Sequence, residues 1–155
     1  KRFINFESYK YIMATRQSIV ECARTQLGVP WMPQGRIWGT ALDCLGLIIG
    51  TAQHSNLIDS NWDYNGYSSI PDGSMIEIAD QYLERIAEIE LAAVIVLASK
   101  IHPQHFGIIG NYRHGGWSVI HSTNAANPPR VIETRLMFAK DFLYKAVYRF
   151  PGVEL

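Results

Sequence analysis

The stretch Asp43-Cys44-Leu45-Gly46-Leu47 places a cysteine directly after an acidic residue, where a loop containing Gly35 and Gly39 gives way to an apolar run. The apolar spacing predicts a helix that begins at residue 43 and extends to about His54. The free N–H groups and the positive dipole end of a helix N-terminus stabilise a thiolate, and the same N–H groups can hold an oxyanion. The sequence therefore predicts that Cys44 is a nucleophile with a lowered pKa.

Two histidines further along the chain can supply the base that a thiol nucleophile requires. His105 begins the strand-like run His105-Phe106-Gly107-Ile108-Ile109, and His121 ends the next run, Trp117-Ser118-Val119-Ile120-His121. The glycine pair Gly115-Gly116 between the runs predicts a β-hairpin, so that the histidines lie on neighbouring strands. The order of one cysteine and two histidines indicates a cysteine peptidase or an acyltransferase rather than a redox or metal protein.

Six short motifs follow one another along the chain: Gly28-Val29-Pro30-Trp31-Met32-Pro33-Gln34-Gly35-Arg36, Asp43 to Leu47, His105 to Ile109, Val119-Ile120-His121-Ser122, Arg130-Val131-Ile132-Glu133 and Val147-Tyr148-Arg149-Phe150-Pro151-Gly152. Together they resemble the NlpC-type cell-wall cysteine peptidases, especially the branch encoded with the tails of phages and gene-transfer agents. The resemblance implies an α+β, papain-like fold in which the nucleophile helix packs on an antiparallel sheet. It also implies that Cys44 and His105 hydrolyse an amide bond in a peptidoglycan stem peptide, with His121 orienting His105.

The resemblance also suggests which residues bind the oxyanion and the substrate. We expect the backbone N–H of Cys44 to hold the oxyanion together with a donor from Gln34 or Trp31, between which the sequence does not choose. Asp43 either binds an amine of the substrate or caps the helix, and the two roles can coexist. The family commonly has serine after the cysteine, where this chain has Leu45. The change leaves open whether a free stem-peptide amine is recognised in the usual way.

Length and composition predict one domain, residues 1–155, without a cofactor. The 155 residues are 48% hydrophobic and 18% charged, and the formal net charge is zero. This balance does not favour a nucleic acid or an anionic membrane as the partner. His102 and His105 have the spacing of metal ligands, but Pro103 between them and the lack of nearby acidic residues predict that no metal is bound. Cys22 is expected to be a free thiol without chemistry.

The absence of a signal-peptide pattern predicts synthesis in the cytoplasm. The resemblance implies carriage on the tail of a virion or phage-like particle, with the stem peptide and other tail proteins as partners. Two alternatives to a peptidoglycan peptidase stay open at this point. The first is a papain-like amidase or acyltransferase with another substrate, such as a lipid or a protein. The second is a tail-assembly component that has kept the fold without catalysis.

Hydrophobic periodicity and turn residues predict the remaining elements. Residues 1–14 are predicted to be an N-terminal extension, residues 29–42 a loop, and residues 55–73 a turn-rich insertion beside the cleft. Aromatic residues in the two loops that flank Cys44 predict either packing or a glycan- or peptide-binding groove. The predicted helices are Thr15 to Leu27, Asp43 to about His54, and Ser74 to about Ile89 behind a capping box of Ser74 and Glu77; the predicted strands are 94–97, 105–112, 116–122, 130–135 and 144–150.

Overall fold

The computed structural model describes residues 14–67, 73–99, 102–136 and 144–154 of the chain. Within these ranges the helices are α1 (Arg16–Arg24), α2 (Cys44–His54) and α3 (Ser74–Tyr82). The strands are β1 (Arg36–Ile37), β2 (Ala41–Leu42), β3 (Glu84–Ile86), β4 (Val94–Ser99), β5 (His102–Asn111), β6 (Trp117–Thr123), β7 (Arg130–Arg135) and β8 (Tyr144–Arg149). The described ranges do not include residues 1–13 of the predicted N-terminal extension or residues 68–72 of the predicted insertion.

Six strands form one antiparallel sheet in the order β3-β8-β4-β5-β6-β7. Strands β4 to β7 follow one another as a meander, and β8 returns to pair with the other side of β4. The hairpin of β5 and β6 pairs Ile108 with Ile120, with Gly115 and Gly116 in the turn at positive φ. The predicted α+β fold with an antiparallel sheet is confirmed.

Helix α2 is the centre of the molecule. Every residue from Cys44 to Ala52 is buried, so the helix is apolar on all sides rather than along one stripe. It packs on the sheet face that carries Val94, Ile108 and Ile120, all fully buried. The opposite face of the sheet has its own smaller core. A nucleophile at the start of such a helix is held by the core of the protein and not by a loop.

Helix α1 begins as the sequence predicts and ends earlier. Thr15 is the N-cap, and its side chain and that of Ser18 form a reciprocal capping box. The helix stops at Arg24, and the chain turns over the next residues to Gly28, which has a φ of 87°. Glycine adopts this left-handed conformation without a steric penalty.

The prediction of a helix from Ser74 to about Ile89 is wrong beyond residue 82. Leu83 is extended, and β3 then pairs with β8 from Glu84 opposite Arg149 to Ile86 opposite Val147. The predicted capping box is wrong as well, because the N-cap is Gly73 in the left-handed region and makes no side-chain cap. Pairing with a strand that lies far away in the sequence outweighs the local helical pattern.

The predicted loop of residues 29–42 contains the two-stranded ribbon of β1 and β2. Arg36 pairs with Leu42, and Ile37 pairs with Ala41. In addition, the backbone N–H of Leu42 donates to Pro30 O, and that of Trp31 donates to Pro129 O. These bonds fix the segment before Cys44 to the end of the sheet. In the described part of the chain, no helix has the length and hydropathy needed to cross a membrane.

Candidate active site

Cys44 is the first residue of α2, and Asp43 is its N-cap. The carboxylate of Asp43 accepts a 2.7 Å hydrogen bond from Gly46 N, which satisfies one of the free donors of the first turn. The predicted capping role of Asp43 is thus confirmed. The backbone N–H of Cys44 has no acceptor among the described residues, so it is available to an oxyanion. Cys44 itself is only 8% exposed.

The start of α2 meets β5 and β6 at the end of the sheet. The backbone N–H of Phe106, next to His105, donates a hydrogen bond to the Cys44 thiol. The two histidines lie in contact, with His105 Nε2 2.7 Å from His121 Nδ1. The hydroxyl of Ser122 donates to Leu42 O at 2.7 Å and so ties β6 to the segment before the cysteine. The structure therefore brings the three predicted catalytic residues to one junction of α2, β5 and β6.

The environment of the thiol contradicts the expectation of a lowered pKa. The pKa of Cys44 is raised to about 12, chiefly by burial and to a smaller extent by the neighbouring Asp43 carboxylate. Hydrogen bonds from the backbone of Phe106 and Leu45 and the charge of Arg36 lower the pKa, but these effects are smaller. Desolvation outweighs the effect of the helix N-terminus because the thiol is buried. At neutral pH the thiol is protonated in this structure.

The histidine pair is neutral for the same reason. Burial lowers the pKa of His105 to about 3, helped by the neighbouring His121, and lowers the pKa of His121 to about 4. Two neutral rings in contact share one N–H between them. If His105 Nε2–H is that donor, His105 Nδ1 carries a lone pair and can accept a proton. The pair then has the tautomers that a general base and its orienting partner require.

Asp43 has further partners besides the helix. Arg36 Nη1 donates to Asp43 Oδ1 at 2.8 Å, and the hydroxyl of Tyr67 donates to Asp43 Oδ2. Desolvation and the neighbouring carboxylate raise the pKa of Tyr67, so its hydroxyl remains a donor at neutral pH. The side chain of Asp43 is 7% exposed. Its second predicted role, binding a substrate amine, is not shown by these contacts.

Arg36 joins the segment before Cys44 to residues 63–67 of the predicted insertion. Its remaining N–H groups donate to Gly35 O at 3.0 Å, Asp63 Oδ1 at 2.8 Å, Tyr64 O at 2.9 Å and the Tyr67 hydroxyl at 2.9 Å. We call this set of contacts around Arg36 and Asp43 the Arg36 clasp. The sequence alone predicts no role for Arg36. Its place in the motif that precedes the cysteine was the available signal, but its partners lie in a turn-rich segment without a pattern.

The two predicted oxyanion donors differ in exposure. Trp31 is half-buried and its backbone N–H is occupied by Pro129 O, so that only the indole N–H is free for this role. Gln34 is exposed in a turn with a φ of 53°. Neither side chain makes a hydrogen bond within the described residues that would reserve it for another role.

The aromatic residues of the flanking loops pack on the protein itself. Trp38 stacks on His54, with ring centroids 4.4 Å apart, and Trp62 and Tyr64 make edge contacts with Tyr82. Of the two predicted interpretations, packing is therefore what the structure shows for these side chains.

Leu45 lines an apolar cavity of about 150 Å³. Phe106, Trp62 and Tyr82 are among the other residues that line this cavity. Leu45 is 4% exposed, so the side chain contributes to the core and offers no polar group to a ligand. The part of the chain that the structure describes contains no cluster of three or more potential metal ligands.

Comparison with known proteins identifies the fold. No protein-family model matches the sequence, and no curated protein matches it significantly. The chain is similar in structure to the NlpC/p60 domain of the peptidoglycan hydrolase SagA, with a TM-score of 0.57 at 15% identity over 87% of this chain and 98% of that one. It is also similar to an N-acetylmuramoyl-L-alanine amidase from Bacteroides uniformis, with a TM-score of 0.55 at 10% identity over 86% of this chain and 98% of the amidase. At these identities the likeness shows a shared papain-like α+β fold.

Proposed function

We propose that this protein is an NlpC-type cysteine peptidase that hydrolyses an amide bond in the peptide stems of peptidoglycan. The observation that carries the proposal is the junction of Cys44, at the N-terminus of α2, with the bonded pair of His105 and His121. The chain places this junction on a fold that it shares with a domain of a peptidoglycan hydrolase. The motifs around the three residues resemble the same kind of enzyme.

The proposed reaction begins from a neutral thiol and a neutral imidazole. As Cys44 Sγ attacks the amide carbonyl carbon, its proton passes to His105 Nδ1, and the carbonyl oxygen becomes an oxyanion. The backbone N–H of Cys44 stabilises the oxyanion together with a donor from Gln34 or Trp31. His121 accepts the Nε2–H of His105 and so holds the ring in the reactive orientation.

The carbon–nitrogen bond then breaks, and the proton on His105 passes to the leaving amine. The acyl group remains on Cys44 as a thioester. Water, deprotonated by His105, attacks the thioester and releases the carboxylic acid and the thiol. The reaction consumes one water per amide bond and needs no redox partner.

The test is the mass of the products after incubation of the protein with purified muropeptides. The wild-type protein is expected to release fragments that differ from the substrate by one hydrolysed amide bond, and Cys44→Ala is expected to release none. Cys22→Ala is the matched control, because Cys22 lies at a half-buried position in α1 away from the junction. Equal turnover by wild type and Cys44→Ala would falsify the assignment of the nucleophile.

A second candidate bond is the amide between the glycan and the stem. The structural similarity to an N-acetylmuramoyl-L-alanine amidase favours including it. The same product masses decide between the two bonds, because cleavage at the glycan releases the whole stem, whereas cleavage within the stem leaves a shortened peptide on the sugar.

We also propose that the enzyme acts from the tail of a phage or phage-like particle after synthesis in the cytoplasm. The support is the resemblance of the motifs at Gly28 to Arg36 and Val147 to Gly152 to the tail-encoded branch. Mass spectrometry of purified particles is expected to detect the chain among the tail proteins. A chain found only in the cell wall fraction of uninfected cells would contradict this location.

A further inference from the structure

We infer that the subsite beside Asp43 accepts an acylated, uncharged nitrogen of the substrate and not a free ammonium group. The inference rests on the proposed function, since it names the class of stem peptide that the enzyme would cleave. Asp43 directly precedes the nucleophile, so a peptide bound across Cys44 passes close to this residue. The electrostatic state of Asp43 therefore determines which group the peptide can present there.

Both oxygens of the Asp43 carboxylate are already bound by the protein. Oδ1 accepts from Gly46 N at 2.7 Å and from Arg36 Nη1 at 2.8 Å, and Oδ2 accepts from the Tyr67 hydroxyl. Only 7% of the side chain is exposed, so little of the carboxylate is open to an approaching ligand. A substrate ammonium group would have to displace one of these donors to reach the carboxylate.

The charge of Asp43 is compensated as well. The Arg36 guanidinium has five N–H donors, and each of them has an acceptor in the clasp: Asp43, Gly35 O, Asp63, Tyr64 O and Tyr67. Releasing Arg36 to admit another cation would break all of these bonds. A cation that approached Asp43 with Arg36 still in place would meet a like charge at close range, which is unfavourable.

No neighbouring group in the described part of the site replaces the missing acceptor. Asp63 Oδ1 is taken by Arg36 Nε and Tyr64 N, and the Asp63 side chain is 46% exposed, where ion pairs contribute little. Leu45, on the other side of the nucleophile, is apolar and buried. Transfer of an unpaired ammonium group into such surroundings is costly, whereas an amide N–H needs only one acceptor.

The test uses three forms of one stem peptide: with a free N-terminal amine, with the amine acetylated, and with the amine joined to muramic acid. We expect kcat/KM for the two acylated forms to exceed that for the free amine by about tenfold or more, as for the loss of one like-charge contact. The acetyl and muramic acid arms show whether any acyl group suffices or the sugar is also required. A free amine that is cleaved as well as the acylated forms, or better, overturns the inference.

Variants locate the effect in the clasp. Arg36→Gln leaves the Asp43 charge uncompensated and is expected to reduce the preference for acylated peptides by about tenfold. Tyr67→Phe is the matched control, because it removes one donor from Asp43 and keeps the cation, so the preference should stay. If circular dichroism shows that Arg36→Gln is poorly folded, Arg36→Lys replaces it as the test. Arg36→Lys retains the charge and is expected to keep the preference. An unchanged preference in a folded Arg36→Gln variant contradicts the role of Arg36.

A binding measurement separates this inference from the proposed function. Calorimetry with Cys44→Ala and the three peptides is expected to show tighter binding of the acylated forms. If Cys44→Ala binds the acylated forms preferentially but the wild type hydrolyses none of the peptides, the inferred subsite is supported and the proposed hydrolysis is wrong. If the wild type hydrolyses the peptides with a preference for the free amine, the proposed hydrolysis is supported and the inferred subsite is wrong. If no form binds, the inference is wrong.

Discussion

At the scale of single residues, Cys44 combines the position of a nucleophile with the burial of a core residue. Its place after Asp43 and before an apolar run could be predicted, because a helix start has a local sequence signature. The upward shift of its pKa could not be predicted, because the shift comes from burial against the sheet, whose nearest strand lies about sixty residues away along the chain. The partners of Asp43 were missed for the same reason: Arg36 and Tyr67 meet it only in the folded chain.

The protonated thiol predicts how Cys44 reacts with iodoacetamide. Because burial raises the pKa of Cys44 to about 12, only a small fraction is thiolate at neutral pH, and this fraction grows about tenfold with each pH unit. In a Cys22→Ser background, the rate of alkylation should therefore increase steadily between pH 7 and pH 9. A rate that is already constant above pH 7 would instead indicate a preformed ion pair of Cys44 and His105, and the neutral ground state would be wrong.

At the scale of elements, α2 depends on two glycines whose neighbours differ in stiffness. A Cβ on Gly46 would overlap the backbone carbonyl oxygen of Gly35, which accepts hydrogen bonds from Asp43 N and Arg36. A Cβ on Gly50 would overlap the ring of Trp38, a side chain that can move. Backbone crowding at Gly46 therefore disturbs the segment that positions the nucleophile, whereas crowding at Gly50 disturbs only one aromatic contact.

We expect Gly46→Ala to destabilise the protein by about 1–3 kcal/mol, as overpacking of a core does, even though alanine favours a helix. Turnover of muropeptides should fall with it, because the Asp43–Cys44 segment moves. Gly50→Ala is the matched control in the same helix and should retain most of the activity. Urea denaturation and turnover of both variants provide the measurement. If Gly46→Ala is as stable and as active as wild type, the close approach of Gly35 and Gly46 is not required.

The elements also show where local patterns stop being sufficient. Helix α2 and the hairpin of β5 and β6 were predicted close to their observed bounds, because periodicity and the Gly115-Gly116 turn are local signals. The segment after Tyr82 has a helical pattern but forms β3. Arg149 of β8 lies 3.5 Å from Glu84 and binds Glu90 at 2.6 Å, contacts that support the strand pairing and that a local pattern does not contain.

At the scale of the whole molecule, the sheet order separates what was predictable from what was not. The meander of β4 to β7 follows the sequence, so the antiparallel arrangement of the two histidine strands could be anticipated. Strand β8 returns to pair with the edge of β4 that β5 does not occupy. No local sequence signal predicts this pairing. This return buries Tyr148 fully and completes the core on which α2 rests.

Burial of the histidine pair links the site to the stability of the whole protein. The pKa of His105 is lowered to about 3 and that of His121 to about 4, whereas the ordinary value is 6.5. Between these values the unfolded chain binds protons that the folded protein does not, so the free energy of unfolding must fall as the pH falls below about 6.5. From pH 7 to pH 5.5 the loss should be roughly 1 kcal/mol for each of the two histidines.

Urea denaturation at pH 7 and pH 5.5 measures this loss, in a range where carboxylates have hardly begun to titrate. The double variant His105→Gln and His121→Gln should lose much less stability over the same range. The other three histidines, His54, His102 and His114, remain in both proteins and serve as the internal control. If the wild type and the double variant show the same pH dependence, the two histidines are not buried in neutral form. The proposed mechanism would then lose its starting state, because it requires His105 to be unprotonated before Cys44 attacks.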